Sequence, residues 1–159
     1  MTKLVIEEAA FEHWPIVHRI MREAFEEYRG VLNPPSGALR ESMEDTVMKL
    51  KGRGGAVLAW LDGEPVGSAQ FYREEEYMYI GRISVSVHAR GRGIGKQIIA
   101  YLERLTVQRG AQETRLEVRL SIPDNIRLYE RLGYSILEHV EYPEKTDSWY
   151  IMCKPATAG

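Results

Sequence analysis

The stretch VHARGRGIGK, Val87 to Lys96, stands where a run of β-branched residues, ISVSV, hands over to an amphipathic segment, KQIIAYLERL. It holds three glycines and three cationic side chains, Arg90, Arg92 and Lys96. A glycine inside a helix or strand costs about 0.5–1 kcal/mol relative to alanine. Three within five residues therefore need a reason beyond turning a corner. A strand that ends in glycine-rich backbone at a helix N-terminus presents free N–H groups and the positive end of a helix dipole. Such a junction favours an anion, most often phosphate.

Two phosphate motifs can be tested against the stretch, and both fail. The P-loop pattern GxxxxGK[ST] finds Arg90 where its first glycine belongs and Gln97 where a magnesium-binding hydroxyl should follow Gly95-Lys96. The dinucleotide pattern GxGxxG begins at Gly91 and Gly93 but meets Lys96 at its last glycine.

The rest of the chain frames the junction. A length of 159 residues is enough for one domain with a real core. A net charge of -2 gives no reason to expect nucleic acid or an anionic membrane as a partner. The single cysteine, Cys153, excludes an internal disulfide framework and points to a reducing, cytoplasmic setting. The opening MTKLVIEEAAFEHW lacks the apolar core of a secretory signal, and no run reaches membrane-spanning length.

Periodicity predicts a strand at 4–6 and a helix over 13–28 with Val17, Ile20, Met21, Ala24 and Tyr28 on one face. RGVLNPPSG reads as a loop, and a second helix is predicted from after Ser36 to Gly52. AVLAW and PVGSAQFY flank Asp62-Gly63, a strong hairpin signal whose loop is allowed more than two residues. A third strand is predicted from Tyr77 to Val87. The helix after the junction buries Ile94, Ile98, Tyr101, Leu102 and Leu105. RLEVRL alternates as a strand, Asn125 to Leu132 forms a shorter helix, and YSIL and WYIMC close as strands. The order is that of an α+β fold with a single β-α-β crossover, and that crossover carries the glycine-rich junction. PATAG, 155–159, is expected as a flexible tail after a domain over 1–154.

What the junction does match is R-x-x-G-x-G, as Arg90, Gly93 and Gly95, preceded by V-x-V at Val85 and Val87. This resembles the acyl-coenzyme A signature of the GNAT superfamily of N-acetyltransferases. NIRLYERLGY, Asn125 to Tyr134, resembles that family's [A/N]-x-x-x-Y-x-x-x-G-[F/Y] helix, at the family's usual separation and in the right order. The resemblance implies a mixed, mostly antiparallel sheet flanked by helices, with the acyl-CoA site on the crossover. It implies acetyl-CoA as cosubstrate, no metal, and an amine on a small molecule or peptide as acceptor. Dimers are common in the family.

By the same resemblance, backbone N–H groups of Arg90, Gly91, Arg92, Gly93, Ile94, Gly95 and Lys96 would cradle the coenzyme A pyrophosphate, the cationic side chains supplying counter-charge. Val85 and Val87 would offer backbone to the pantetheine arm in the manner of an added strand, and Asn125 would join the cofactor site. Tyr129 would be general acid to the departing thiolate. An amine of pKa near 10.4 is under about 0.1% neutral at pH 7, so a base is needed. Many GNATs use a glutamate on the strand that here reads EEEYMYIGRISV. Its interior has none, Tyr79 standing near that place, so Glu76 at its start is the nearest carboxylate. Glu74, Glu75 and Glu76 read either as a solvated hairpin connection or as a lure for a cationic acceptor.

The histidines His13, His18, His88 and His139 have no metal-ligand spacing. His88, beside the cofactor loop, reads as a surface residue. Cys153 is placed in the core, against an acyl-cysteine intermediate. Tyr142, Trp149 and Tyr150 read as packing or interface. Two functions stay open: an N-acetyltransferase working by direct transfer, and a non-catalytic acyl-CoA sensor using the same site without a base.

Overall fold

The computed structural model describes residues 2–157. Seven strands form one sheet, β1 (Leu4–Glu8), β2 (Gly54–Leu61), β3 (Glu64–Arg73), β4 (Tyr77–Val85), β5 (Glu113–Arg119), β6 (Ser135–Glu141) and β7 (Ser148–Pro155). Their order is β1-β2-β3-β4-β5-β7-β6. All neighbours are antiparallel except β4 and β5, which are parallel. The helices are α1 (Trp14–Phe25), α2 (Met43–Leu50), α3 (Ile94–Gln108) and α4 (Pro123–Arg131). Among the described residues, no helix is long and apolar enough to cross a membrane.

The helices cover both faces of the sheet. Val57, Ala59, Phe71, Met78, Ile80, Leu116 and Val118 pack with Ile94, Ile98 and Leu102 of α3. Ala56 and Leu58 turn the other way and pack with Trp14, Val17, Ile20 and Leu50 of α1 and α2. β2 is thus apolar on both faces, as its unbroken run GGAVLAWL requires. At the β2–β3 hairpin Leu61 pairs with Glu64, and Asp62 and Gly63 both have positive φ, 52° and 85°. The loop is two residues long, the type that Asp-Gly favours.

Three elements depart from the sequence reading. The second helix begins at Met43: Ser42 and Asp45 form a capping box that starts a new helix. Gly37–Leu39 before it is a separate single turn, capped by Ser36. Glu41 sits in the joint between them and is turned inward, 7% exposed. β4 ends at Val85, and Val87–Ala89 is a short 3-10 turn, so Val87 is off the strand and 69% exposed. β7 runs through Pro155, and the Ala156 amide donates to Gln112 O, so the ordered sheet enters the stretch expected as tail. Residues 158–159 of that stretch lie outside the described residues.

β4 and β5 pair only at Tyr77, Met78 and Tyr79, opposite Glu113, Thr114 and Arg115. From Ile80 onward the two strands share no ladder. On its other side β4 carries a bulge, where Arg82 and Ile83 together face Ala69. Arg82 takes φ 50° there, a left-handed conformation rare outside glycine. The divergence of β4 from β5 opens a cleft through the sheet.

Candidate active site

Past the end of β4 lies the glycine-rich junction. Gly91 and Gly93 hold φ 80° and 75°, and Gly93 is the N-cap of α3 with no side chain capping it. A Cβ on either glycine would meet nothing within 4 Å. Internal packing therefore does not demand these glycines; left-handed backbone and open space in front of the loop do. The amides of Gly91, Arg92, Gly93, Ile94, Gly95 and Lys96 donate to no acceptor among the described residues. They converge at the N-terminus of a 15-residue helix, so the junction fits a phosphate group.

The side chains of the junction divide. Arg92 and Lys96 are exposed and unpaired among the described residues. Ile94 is core, 3% exposed, so only its amide faces the loop. Arg90 points back into the protein: its Nε donates to Val85 O at 3.1 Å and Nη2 to Ala24 O at 3.2 Å, with Nη1 on Glu27. Its guanidinium ties the junction to the end of α1. His88 pairs with Glu64 at 3.2 Å, both exposed.

The cleft has a volume of about 390 Å³. Asn125 and Tyr129 line it from α4, which packs against the α3 side through Ile126, Tyr129 and Leu132. Leu128 is absent from that contact. The Tyr129 hydroxyl makes no hydrogen bond among the described residues, and burial pushes its pKa up to about 12. Thr114, Leu116 and Val118 of β5 are buried, so Arg115, Glu117 and Arg119 point to the opposite, α1 side.

Glu117 lines the cleft there and accepts a hydrogen bond from Tyr79 Oη at 2.9 Å. The Tyr79 ring stacks on Tyr72 with centroids 4.7 Å apart. It also crosses Gly81, where a Cβ would lie 2.9 Å from the ring. Gly81 is required for that close approach. Burial, then the nearby Glu117 charge, raise the Tyr79 pKa well above the ordinary tyrosine value, so Tyr79 stays a hydrogen-bond donor.

Glu76 is elsewhere. It is exposed on the β3–β4 connection, where its carbonyl accepts from Gln112 N at the closed end of the β4–β5 pair. It does not line the cleft. Glu74 pairs with Arg53 at 2.8 Å, and Arg73 is hydrogen-bonded to the backbone of Glu74 and Glu75. The triplet is a partly neutralised surface connection. The cleft carboxylate that sequence reasoning missed is Glu117. Its signal was present, since RLEVRL sets it opposite Leu116 and Val118. Cys153 is half-buried in β7, the core position falling to Met152. Tyr142 and Trp149, 4.6 Å apart, line the far end of the cleft, whereas Tyr150 packs on His139.

Side chains from four segments meet around Arg82 in the cleft wall. Arg82, at the β4 bulge, donates from Nε to Glu41 Oε1 at 3.1 Å. Glu41 also receives Lys49 Nζ at 2.8 Å, Gln70 Nε2 at 2.9 Å and the Thr46 hydroxyl. Burial by itself raises the Glu41 pKa, but these hydrogen bonds outweigh it and hold the carboxyl at about 2. Lys49 is lowered by the same burial, partly offset by Glu41.

Solved structures share this fold. The ribosomal-protein-S18-alanine N-acetyltransferase from Escherichia coli matches at 19% identity and TM-score 0.79, over 99% of this chain and 96% of that one. The PaiA N-acetyltransferase from Thermoplasma acidophilum, in complex with coenzyme A, matches at 18% identity and TM-score 0.77, over 96% and 99%. An aminoglycoside 6'-N-acetyltransferase complexed with coenzyme A matches at 15% identity and TM-score 0.74, over 98% of both chains. The sequence profile described as the acetyltransferase (GNAT) family covers residues 14–134, most of the chain. The protein belongs to the GNAT acetyltransferase family.

Proposed function

We propose that the protein transfers the acetyl group of acetyl-CoA directly to a primary amine within a ternary complex. The observation that carries this is the pairing of Tyr129 and Glu117 in the wall of one cleft with unpaired amides at Gly91–Lys96, on the connection that follows the cleft-lining strand β4. The amides take the pyrophosphate, with Arg92 and Lys96 as flexible counter-charge and Arg90 bracing the loop. The edge of β4 that has no partner in β5, from Ile80 toward Val85, accompanies the pantetheine arm, Arg90 holding the Val85 carbonyl, and Asn125 lines the same route.

On the α1 side, Glu117 accepts a proton from the acceptor ammonium, directly or through one water. The freed amine attacks the thioester carbonyl; the C–N bond forms, the C–S bond breaks, and the thiolate departs toward Tyr129 and takes the second proton of the new amide nitrogen, leaving as the thiol, while Glu117 returns the first proton to solvent. The thiolate of a thiol near pKa 8.5 is a weaker base than the phenolate of a phenol near 12, so complete transfer from Tyr129 is uphill. Tyr129 acts chiefly as a hydrogen-bond donor to the developing thiolate, a role its raised pKa leaves intact at any working pH.

The sensor reading rested on a site without a carboxylate; with Glu117 in the cleft wall it loses that ground. Thiol release from acetyl-CoA across a panel of amines tests the proposal. Acetyl-CoA that binds but releases no thiol with any amine would return the sensor reading.

A further inference from the structure

The acceptor end of the cleft is rich in hydrogen-bond donors and poor in acceptors. Arg40 and Arg82 both line it. Arg40 makes no side-chain hydrogen bond or ion pair among the described residues. Among the described residues Arg82 engages only Nε, on Glu41, which leaves both Nη groups without a partner there. Its outer edge faces the backbone of Gly37, another lining residue, where a Cβ would lie 3.0 Å from Arg82 Nη2. Lys49 shares the same Glu41 carboxylate, so two cations are balanced by one anion. Arg40 adds a further positive charge. Arg119 pairs with Asp147 yet leaves Nη2 buried and without a partner, and Trp149 Nε1 is likewise an unmatched donor.

A ligand that suits this wall must bring hydrogen-bond acceptors and negative charge. A polycation suits it poorly, because only Glu117 is offered to an ammonium and a second cation would face guanidinium groups. Arg82 is also built to hold its position: its bulge conformation is fixed by β3 and its Nε by a buried carboxylate. A guanidinium so placed recognises a carboxylate through its planar pair of N–H donors. The cleft volume, about 390 Å³, falls in the range of small-molecule sites.

We infer that the acceptor is a small amino carboxylic acid, its amine at Glu117 and its carboxylate held by Arg82 and Arg40. This rests on the acetyl-transfer reading above and names its substrate class. The size of the site and the donors on its wall recognise an amine and a carboxylate in one compact molecule, whichever side chain it carries.

The test uses the coenzyme A-loaded protein for binding and acetyl-CoA for turnover. Probes are free amino acids, the carboxamide of each, 1,4-diaminobutane, and a short peptide with a neutral N-terminal residue. At least one free acid should bind at least tenfold tighter than its carboxamide by calorimetry and show at least tenfold higher kcat/KM. Arg40→Gln, at an exposed position with no partner to lose among the described residues, should raise the KM for that acid at least threefold, and by more than the KM for its carboxamide. Arg82→Gln, if it folds, should erase the difference between acid and carboxamide.

Carboxamide, diamine or peptide used as well as any acid would overturn the inference and leave acetyl transfer standing. An acid bound in preference to its carboxamide, but with no thiol release, would uphold the recognition and sink the transfer reading. No saturable binding of any free acid would overturn the inference outright.

Discussion

The two halves of the proposed site are made by opposite means. The proposed cofactor end is a contiguous run, Gly91 to Lys96, that presents backbone amides at a helix N-terminus. The acceptor end gathers side chains from α2 and the turn before it, from β3, from the β4 bulge and from β5. Backbone recognition needs glycine and a helix start, both local properties. Side-chain recognition needs a tertiary fold to bring distant residues together. The first end can serve many chains that share one cosubstrate, while the second can change one residue at a time.

The sharpest way to break this division is at Glu117. If it is the base, Glu117→Gln should lower kcat by about 10²-fold or more, the usual range for a positioned proton acceptor. Coenzyme A affinity, set at the other end, should stay within about twofold. A drop in both would mean that the ends are not separable. Tyr129→Phe keeps the ring and removes one donor; kcat should fall at least about tenfold with acetyl-CoA affinity nearly unchanged. Full activity measured where chemistry limits the rate would take Tyr129 out of the mechanism.

Glu41 tests whether the acceptor end is also a stability device. Its folded pKa, about 2, lies below the ordinary value of 4.5. A depressed carboxyl stabilises the fold above pH 4.5, and that contribution is lost as pH falls toward 2. Between pH 6 and pH 3 the loss corresponds to about 1.5 pH units, or about 2 kcal/mol. Urea unfolding should show that extra acid loss in the wild type and not in Glu41→Gln. Equal slopes in the two proteins would mean that Glu41 is not ionised in the fold.

At the cofactor end, Gly93→Val places a β-branched side chain at φ 75°, in the open space before the loop. Left-handed backbone costs a non-glycine residue about 1–2 kcal/mol, and the side chain blocks the approach of the pyrophosphate. Coenzyme A binding should weaken at least about tenfold. Unchanged affinity in the folded variant would move the pyrophosphate off the loop.

The same contrast explains what could be read from sequence. The junction, its helix and the core stripe of α3 were legible because each is a local pattern. The alternation of RLEVRL placed Glu117 on the face opposite the core, but nothing in it says that this face borders the opening beside β4. Arg82 was not singled out: the glycine in IGRIS is a bulge signal, but nothing local says what the turned residue would face. Val87 was misplaced because ISVSV keeps alternating past Val85, while the Ala89 amide bonds back to Ser86 O and closes a turn. Glu41 was hidden inside what looked like one helix. Only the capping box at Ser42 gives the break away, and that signal, Ser-x-x-Asp, was there to be found.

The smallest effect is expected at the acidic triplet, and it bears on what attracts the acceptor. If charge outside the cleft steers a cationic amine, Glu74, Glu75 and Glu76 are the natural source. They lie at the closed end of the β4–β5 pair, with Glu76 three residues before Tyr79, which holds Glu117. At about 3.3 Å per residue that is roughly 10 Å, more than one Debye length at 0.15 M salt. Arg53 pairs with Glu74, and Arg73 lies against the backbone of the triplet, reducing the field further. Converting all three to glutamine should change the acceptor KM by less than about twofold at 0.15 M salt. A several-fold rise that fades as salt is added would show that the triplet guides the amine after all. The acceptor end would then extend well beyond the cleft that Glu117, Arg82 and Arg40 define.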